Sequence, residues 1–507
     1  MRYSDTMILA LSLMGGAAAL ELGVHLSGRW PRVRTPLALL ALGTQGFAVA
    51  ALVIAETHVF TLLIVFLSLY RLFNMARVVK RRMHEYYLRT ATRRTSLMLI
   101  VLQLAVLGIW WIWEVSGVTA HAAWTALGLL LAGAGMLCLA SAVRTLKRTA
   151  WPLKQTSYSD AELPSVTVAI PARNETEDLQ QCLQGIISSD YPKLEIIVLD
   201  DCSQTARTPE IIRDFAHDGV RFIQGQEPAA TWLPKNQAYD RLTDEASGAY
   251  ILFCGVDVRF APHSIRDLVS TMLDRNKQML CILPLRQYEA YGQFSLVQAM
   301  RYWWELALPR RIFRRPPVLS TCWAIKADAL KKAGGFASVA RAIVPEAHFA
   351  RELIKIDGYS FLRSGKGLAI ESNKRIPDQR NTAVRMRYPQ LHRRPEHAAV
   401  VALLEAVFLI LPFVLALGGF WFSIGTVAHI AAVAASILFV IAYEITVLST
   451  HVNTWWFGLF AQPFAAASDI VLMHHSMWKY EFSTVDWKGR NVCIPVMRVE
   501  PRLPTLG

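Results

Sequence analysis

Long apolar stretches toward both ends of the chain enclose a middle part whose apolar runs are short. Near 6–26, 36–54, 57–74, 96–116 and 122–143 the sequence stays mostly apolar for the roughly 20 residues that cross a hydrocarbon core, which predicts about five spans within an N-terminal region, 1–150. Stretches near 398–422, 427–448 and 454–473 predict about three more within 398–475, and a basic tail, 476–507, follows. Between them, over 157–395, short apolar runs at 166–170, 195–199, 220–224, 250–253 and 280–283 are each followed by helix-like sequence. That alternation predicts βαβ units. Runs of β-branched residues without polar alternation predict strands covered on both faces, as in a mostly parallel sheet.

Composition agrees with a chain partly solvated by lipid: 53% of its 507 residues are hydrophobic. The net charge of +14 takes its meaning from where the cations lie. Arg71, Lys80, Arg81, Arg82, Arg89, Arg93 and Arg94 fill the loop between the third and fourth stretches, with Glu85 the one acid among them. Arg29, Arg32 and Arg34, and then Arg144, Lys147 and Arg148, flank other ends. Basic loops stay in the cytoplasm, so all five crossings agree on a cytoplasmic middle domain in a multi-pass protein of the cytoplasmic membrane. Cations beside spans, rather than interleaved with aromatics on one face, exclude nucleic acid as a partner and point to membrane lipids.

The C-terminal part is inconsistent with that rule. Three spans leave the tail outside, yet it carries Lys479, Lys488, Arg490, Arg498 and Arg502. Either the last segment, interrupted by Pro463 and Asp469, re-enters, or one span is miscounted. No small-residue cleavage site follows the first apolar run, so a removed signal peptide is not expected. The seven cysteines form no C-x-x-C pair and are read as reduced and structural.

The first strand of the middle domain runs into Pro171-Ala172-Arg173-Asn174-Glu175, and the second ends in Leu199-Asp200-Asp201-Cys202-Ser203. Ligands of open α/β sheets bind beyond the carboxyl ends of strands, where these polar groups fall. Carboxylates after a strand also cap helices or close Asx turns, a structural alternative for either motif alone. Together the two resemble the P-x-x-N-E and D-D-x-S motifs of membrane-bound family 2 glycosyltransferases of the GT-A fold. The resemblance extends to Thr231-Trp232-Leu233-Pro234-Lys235-Asn236, which is similar to a G-W-x-G-K segment of hopanoid and ceramide glycosyltransferases with both glycines replaced. It also covers Leu319 to Ile325 with Gly334-Gly335-Phe336, and Trp487-Lys488-Gly489-Arg490, similar to a W-x-G-R close.

The resemblance implies an α/β GT-A domain between N-terminal and C-terminal transmembrane bundles. It implies a nucleotide-sugar donor bound by Pro171, Arg173, Asn174, Glu175, Asp200, Asp201 and Lys235, a lysine near a diphosphate acting as a point charge. Gly255-Val256-Asp257 stands where the family carries D-x-D, so Asp257 alone is left to hold a divalent cation, Mg2+ or Mn2+. Glu346-Ala347-His348 stands where an E-D pair would supply the base that takes the acceptor's proton, leaving Glu346 or His348 for that work. An acceptor already ionised, such as a lipid phosphate, needs no base. Arg385, Arg387, Gln390 and Arg393 are candidates for acceptor or diphosphate contact, or alternatively a juxtamembrane basic cluster. Tyr302-Trp303-Trp304 with the arginines of 309–315 reads as an interfacial helix.

The expected function is transfer of a hexose from a nucleotide-diphosphate sugar to a lipid or glycan acceptor at the cytoplasmic membrane face, with inversion. A catalytically degenerate scaffold or regulator, and a processive polysaccharide synthase, are the alternatives.

Overall fold

A computed structural model describes residues 5–27, 31–55, 58–81, 86–152, 156–286, 296–307, 317–421, 423–452 and 457–493. The arginines at 310, 311, 314 and 315, and Arg498 and Arg502 of the tail, lie outside these residues. The chain opens with five helices, α1 (Asp5–Leu26), α2 (Pro31–Ala55), α3 (Val59–Arg81), α4 (Tyr86–Ser116) and α5 (Ala120–Arg148).

The middle domain contributes strands β1 (Val166–Ala172), β2 (Leu194–Asp200), β3 (Val220–Gln224), β4 (Tyr250–Cys254), β5 (Val258–Arg259), β6 (Met279–Leu283), β7 (Leu285–Arg286), β8 (Cys322–Lys326), β9 (Tyr359–Arg363) and β10 (Glu371–Ser372). Its helices are α6 (Glu177–Ile187), α7 (Arg207–Asp214), α8 (Pro234–Glu245), α9 (Ser264–Asp274), α10 (Leu296–Leu306), α11 (Ala327–Lys332), α12 (Glu346–Ile354) and α13 (Ile376–Gln390). Then come α14 (Pro395–Glu405), α15 (Leu411–Gly418), α16 (Thr426–Thr450), α17 (Phe457–Phe482) and a hairpin of β11 (Asp486–Trp487) and β12 (Arg490–Asn491).

Seven helical segments among the described residues are long and apolar enough to cross a membrane: α1 to α5, the continuous stretch Pro395–Gly418, and α16. Where α5 meets α16 a Cβ on Gly128 would stand 3.0 Å from the Ala428 carbonyl oxygen, so the two backbones touch as small-residue helix pairs in lipid do. Of the stretch near 454–473, read from sequence as a further span, residues 457–473 fall in α17, which is not one of the seven, and 454–456 lie outside the described residues. Instead α17 binds the middle domain: the Tyr388 amide donates to Ser476 Oγ at 3.1 Å and the Tyr480 hydroxyl to the Arg385 carbonyl at 2.7 Å. The tail that follows packs against the same domain, Lys488 on Glu175 and Arg490 on Asp201.

The sheet runs β3-β2-β1-β4-β8-β6-β9. Neighbours are parallel except at β8, which is antiparallel to both β4 and β6. The five runs singled out by pattern fall on β1, β2, β3, β4 and β6; β4 and β6 are buried at every position, as strands covered on both faces must be. One face packs Leu179, Leu183 and Ile186 of α6 and Ile265 and Leu268 of α9 against the sheet. The other buries an aromatic group, in which Phe253 stacks on Trp323 with ring centroids 4.5 Å apart and Tyr239 lies 4.9 Å from Phe253. Truncating such a buried ring typically costs about 3–5 kcal/mol, so this group fixes α8 firmly to the strand ends.

Candidate active site

The parallel strands β1, β2 and β4 point their carboxyl ends the same way, and the loops that follow carry the polar motifs. The Asp201 amide donates to the Ala172 carbonyl at 2.7 Å, drawing the first two loops together. Arg173 is almost wholly buried and its Nη1 donates to the Asp201 carbonyl at 2.6 Å, so this arginine braces loop backbone. Asn174 and Cys202 take left-handed conformations, φ 48° and 52°, that turn the chain sharply away from each strand.

Pro171, Arg173, Glu175, Asp201, Lys235 and Asp257 line one cavity of about 320 Å³, within the roughly 300–1,000 Å³ of small-molecule sites. Asp200 is buried and its carboxylate accepts from the Ser203 amide at 3.2 Å and from the Ser203 hydroxyl, closing an Asx turn behind the cavity wall. Asn174 accepts from the Gln204 amide at 2.8 Å and donates to the Lys488 carbonyl at 3.1 Å.

The hairpin completes the wall. Lys488 and Gly489 both have positive φ, 48° and 81°, the conformation of a two-residue turn whose twist matches its strands. Gly489 is also needed for space, because a Cβ there would lie 2.5 Å from Gln204 Oε1. The Lys488 ammonium pairs with Glu175, and Arg490 Nη1 lies 2.6 Å from Asp201 Oδ2. Burial pushes the Glu175 and Asp201 carboxyls above their ordinary values against the pull of these cations. Asp486 and Trp487 line the cavity as well.

Asp257 accepts a hydrogen bond from the Ser372 hydroxyl at 2.9 Å. Burial opposes its charge, but Lys374, Arg286 and that hydroxyl prevail and hold the carboxyl below its ordinary value. A Cβ on Gly255 would stand 2.7 Å from Asp257 Oδ1, so the loop is shaped around a glycine there. Among the described residues no group of three or more His, Cys, Asp or Glu side chains could hold a metal ion. A divalent cation fits at Asp257 only with the oxygens of a bound diphosphate and water filling its shell, which is how Mg2+ commonly binds.

Lys235, at the start of α8, lies 3.4 Å from Glu346 and 4.9 Å from the centre of the Tyr239 ring. Glu346 is fully buried in the first turn of α12, where a carboxylate is favoured. His348 Nε2 is 3.0 Å from the Ala333 carbonyl oxygen. Neither Glu346 nor His348 lines the cavity. Of the four candidates on and beyond α13, Arg385 lines it. Arg387 is paired with Glu405 at 2.7 Å and with Asp469, Arg393 with Glu481 at 3.4 Å, and Gln390 is exposed. Arg286, Arg301 and Lys374 were not singled out from sequence, yet they line the cavity too.

Residues 167–333 match the family described as glycosyl transferase family 2. That part of the chain is similar to glycosyltransferases of this family, and the expected α/β domain between helical regions is the fold found. Part of this domain is 35% identical over 105 residues to glycosyltransferase AglE of Haloferax volcanii, across 20% of this chain and 32% of that protein. Another similarity, 27% identical over 184 residues, is to the probable glycosyltransferase YdaM of Bacillus subtilis, across 34% of this chain and 43% of that one. The chain thus spans less than half the length of these curated relatives. A mannosyltransferase from Pyrobaculum calidifontis, solved with GDP-Man and Mn2+, superposes with a TM-score of 0.42 at 19% identity, covering 70% of this chain and 99% of that one.

Proposed function

We propose that this protein transfers a hexosyl group from a nucleotide-diphosphate sugar to a lipid or glycan acceptor at the cytoplasmic face of the membrane, with inversion. The observation that carries the reading is the convergence of Asp201, Lys235 and Asp257 on a single cavity at the carboxyl ends of β2 and β4 and the start of α8. Glu175 and Asp201 hold the nucleoside end, with the hairpin as its outer wall. Lys235, Lys374 and Arg286 neutralise the diphosphate as the bond to the sugar lengthens, an electrostatic stabilisation of the charge that develops on the leaving group. Asp257 would hold a divalent cation, which would supply Lewis-acid stabilisation of the leaving group. Arg144 near the end of α5, with Lys147 and Arg148 in its last turn, supports a cytoplasmic domain.

Purified full-length protein is expected to release nucleoside diphosphate from at least one nucleotide-sugar with Mg2+ or Mn2+ present. Silence across a broad donor panel, with no binding by calorimetry, rejects the transferase reading. One observation favours a degenerate scaffold instead, namely that the two carboxylates at the nucleoside end already carry tail cations. Nucleotide binding without any turnover on every donor and acceptor is what that alternative requires.

A further inference from the structure

The cavity holds more positive charge than its own carboxylates answer. Glu175 and Asp201 are paired with the hairpin, and Asp178 lies 2.9 Å from Arg259. Asp378 and Asp486 are exposed. Arg301, Lys374 and Arg385 have no carboxylate within 4.0 Å among the described residues. Their interactions with one another are repulsive: Arg301 and Arg385 each bear on Lys374 and on Lys235, and Arg301 on Arg385. Asp257 bears on Lys374 alone of the three, and like charges gathered beyond what one carboxylate answers are costly unless a further anion joins them. A donor diphosphate beside Asp257 and Lys235 answers Lys374. It leaves the two arginines.

Those arginines come from the two elements that tie the domain to the membrane helices. Arg301 is on α10, whose Ala299, Met300 and Trp303 are buried against Cys138 and Ala142 of α5 and Phe439 of α16. Arg385 is on α13, which bonds to α17; Ala461, Ala465 and Ala466 of α17 pack in the same cluster as α5 and α16, and the Arg385 guanidinium lies 4.9 Å from the centre of the Trp487 ring. Both therefore stand where the cavity adjoins the apolar bundle. Guanidinium groups present paired N–H donors that match phosphate oxygens. Meanwhile the two sequence candidates for a general base, Glu346 and His348, do not line the cavity.

We propose, on the basis of the transferase reading above, that the acceptor is a membrane lipid bearing a terminal phosphate monoester, held by Arg301 and Arg385. The second ionisation of such a phosphate lies near 6, so at neutral pH the attacking oxygen carries no proton. A lone pair on that oxygen forms the new bond to the anomeric carbon. The bond from that carbon to the diphosphate breaks, and its electron pair leaves with the nucleoside diphosphate. The product is a lipid phosphodiester of the sugar, and no proton has to be removed. A lipid phosphate thus accounts together for the spare arginines, their position beside the bundle and the base candidates that stay outside the cavity.

The test uses full-length protein in detergent with radiolabelled nucleotide-sugar. Phosphatidic acid and a polyprenyl monophosphate are offered beside the matched diacylglycerol and polyprenol, and beside inorganic phosphate. Label is expected in a mild-acid-labile lipid phosphodiester from a monophosphate, with none in the alcohols and none in sugar phosphate. Arg301→Gln and Arg385→Gln should each raise the apparent KM for that lipid at least tenfold while eluting on gel filtration as the unaltered protein does. Arg385→Lys should recover part of the loss. Transfer to an alcohol at a comparable rate overturns the proposal, and so does equal use of inorganic phosphate. Nucleoside diphosphate release with no product on either lipid monophosphate overturns it while leaving the transferase reading intact. Absence of all donor binding removes both.

Discussion

Arg490 Nη1 lies 2.6 Å from Asp201 Oδ2, and the two side chains are 9% and 7% exposed. Removing one partner of a buried pair typically costs about 3–5 kcal/mol, because the remaining charge is stranded. A two-stranded hairpin has little else to hold it down. Arg490→Ala should therefore release residues 484–493, seen as new proteolytic cleavage there, and weaken donor binding by roughly tenfold, about 1.4 kcal/mol. Arg490→Lys should retain much of both. An unchanged cleavage pattern with unchanged affinity counts against the hairpin as a wall of the site.

Lys374 is half-buried with its Nζ donating to Thr382 at 2.7 Å. Burial, with Arg385, Arg301 and Arg286 nearby, lowers its ammonium from an ordinary 10.5 to about 7, against the attraction of Asp257. Its cation is present below that pH and lost above it, so affinity for a nucleoside diphosphate should decline as pH rises through about 7. Stability moves the other way: between the folded value and 10.5 the unfolded chain holds the extra proton, so folding is favoured as pH rises. Lys374→Arg, charged throughout, should flatten the binding profile measured by calorimetry. A profile of the same shape in that variant removes Lys374 as its source.

Glu346 faces Lys235 rather than the cavity, which makes it a positioning residue. Glu346→Gln should raise the donor KM and lower kcat by less than about tenfold, whereas loss of a general base costs roughly 10²–10⁴. His348→Ala should stay within about twofold of the unaltered protein, since positioned acid–base groups contribute far more than that. A thousandfold fall in kcat for either variant, with normal donor binding, would restore it as a base.

Asp257 has Ser372 on one oxygen and two cations in its field. Mn2+ binding should thus be negligible in the absence of nucleotide and appear with a nucleoside diphosphate, whose oxygens supply the missing ligands. Asp257→Asn should abolish that metal dependence. Gly255→Asp should not improve metal binding, because its Cβ would stand 2.7 Å from Asp257 Oδ1 and crowd the oxygen that Ser372 leaves open. Tight Mn2+ binding to the protein alone, by electron paramagnetic resonance, contradicts this account.

Much of this site was readable in the sequence, for reasons that differ by residue. β4 and β6 announce themselves because strands buried on both faces must be apolar throughout, whereas β3, with Arg221 and Gln224 exposed, shows only a short apolar run. Asp201, Lys235 and Asp257 follow short apolar runs at strand or helix boundaries, so chain position alone puts them at the sheet edge. Arg286, Arg301 and Lys374 gave no such signal: each is a lone cation without a motif, brought in by β7, α10 and the segment before α13. Arg387 and Arg393 look equivalent to Arg385 in sequence; helix rotation turns Arg387 toward Glu405 and Asp469, while Arg393 lies past the end of α13 and pairs with Glu481. Gln462, Asp469 and Ser476 of α17 lie buried, which its apolar run does not announce.

Lys488 and Glu175 are 313 residues apart. At about 5–20 residues per second, synthesis separates them by roughly 15–60 s. For that interval the first five apolar helices and the sheet can assemble with the cavity still lacking its hairpin wall, so the body of the fold precedes the finished site. A nascent chain arrested before the hairpin is a membrane protein with an unfinished wall, and a bulky fusion placed directly after residue 493 burdens the same joint.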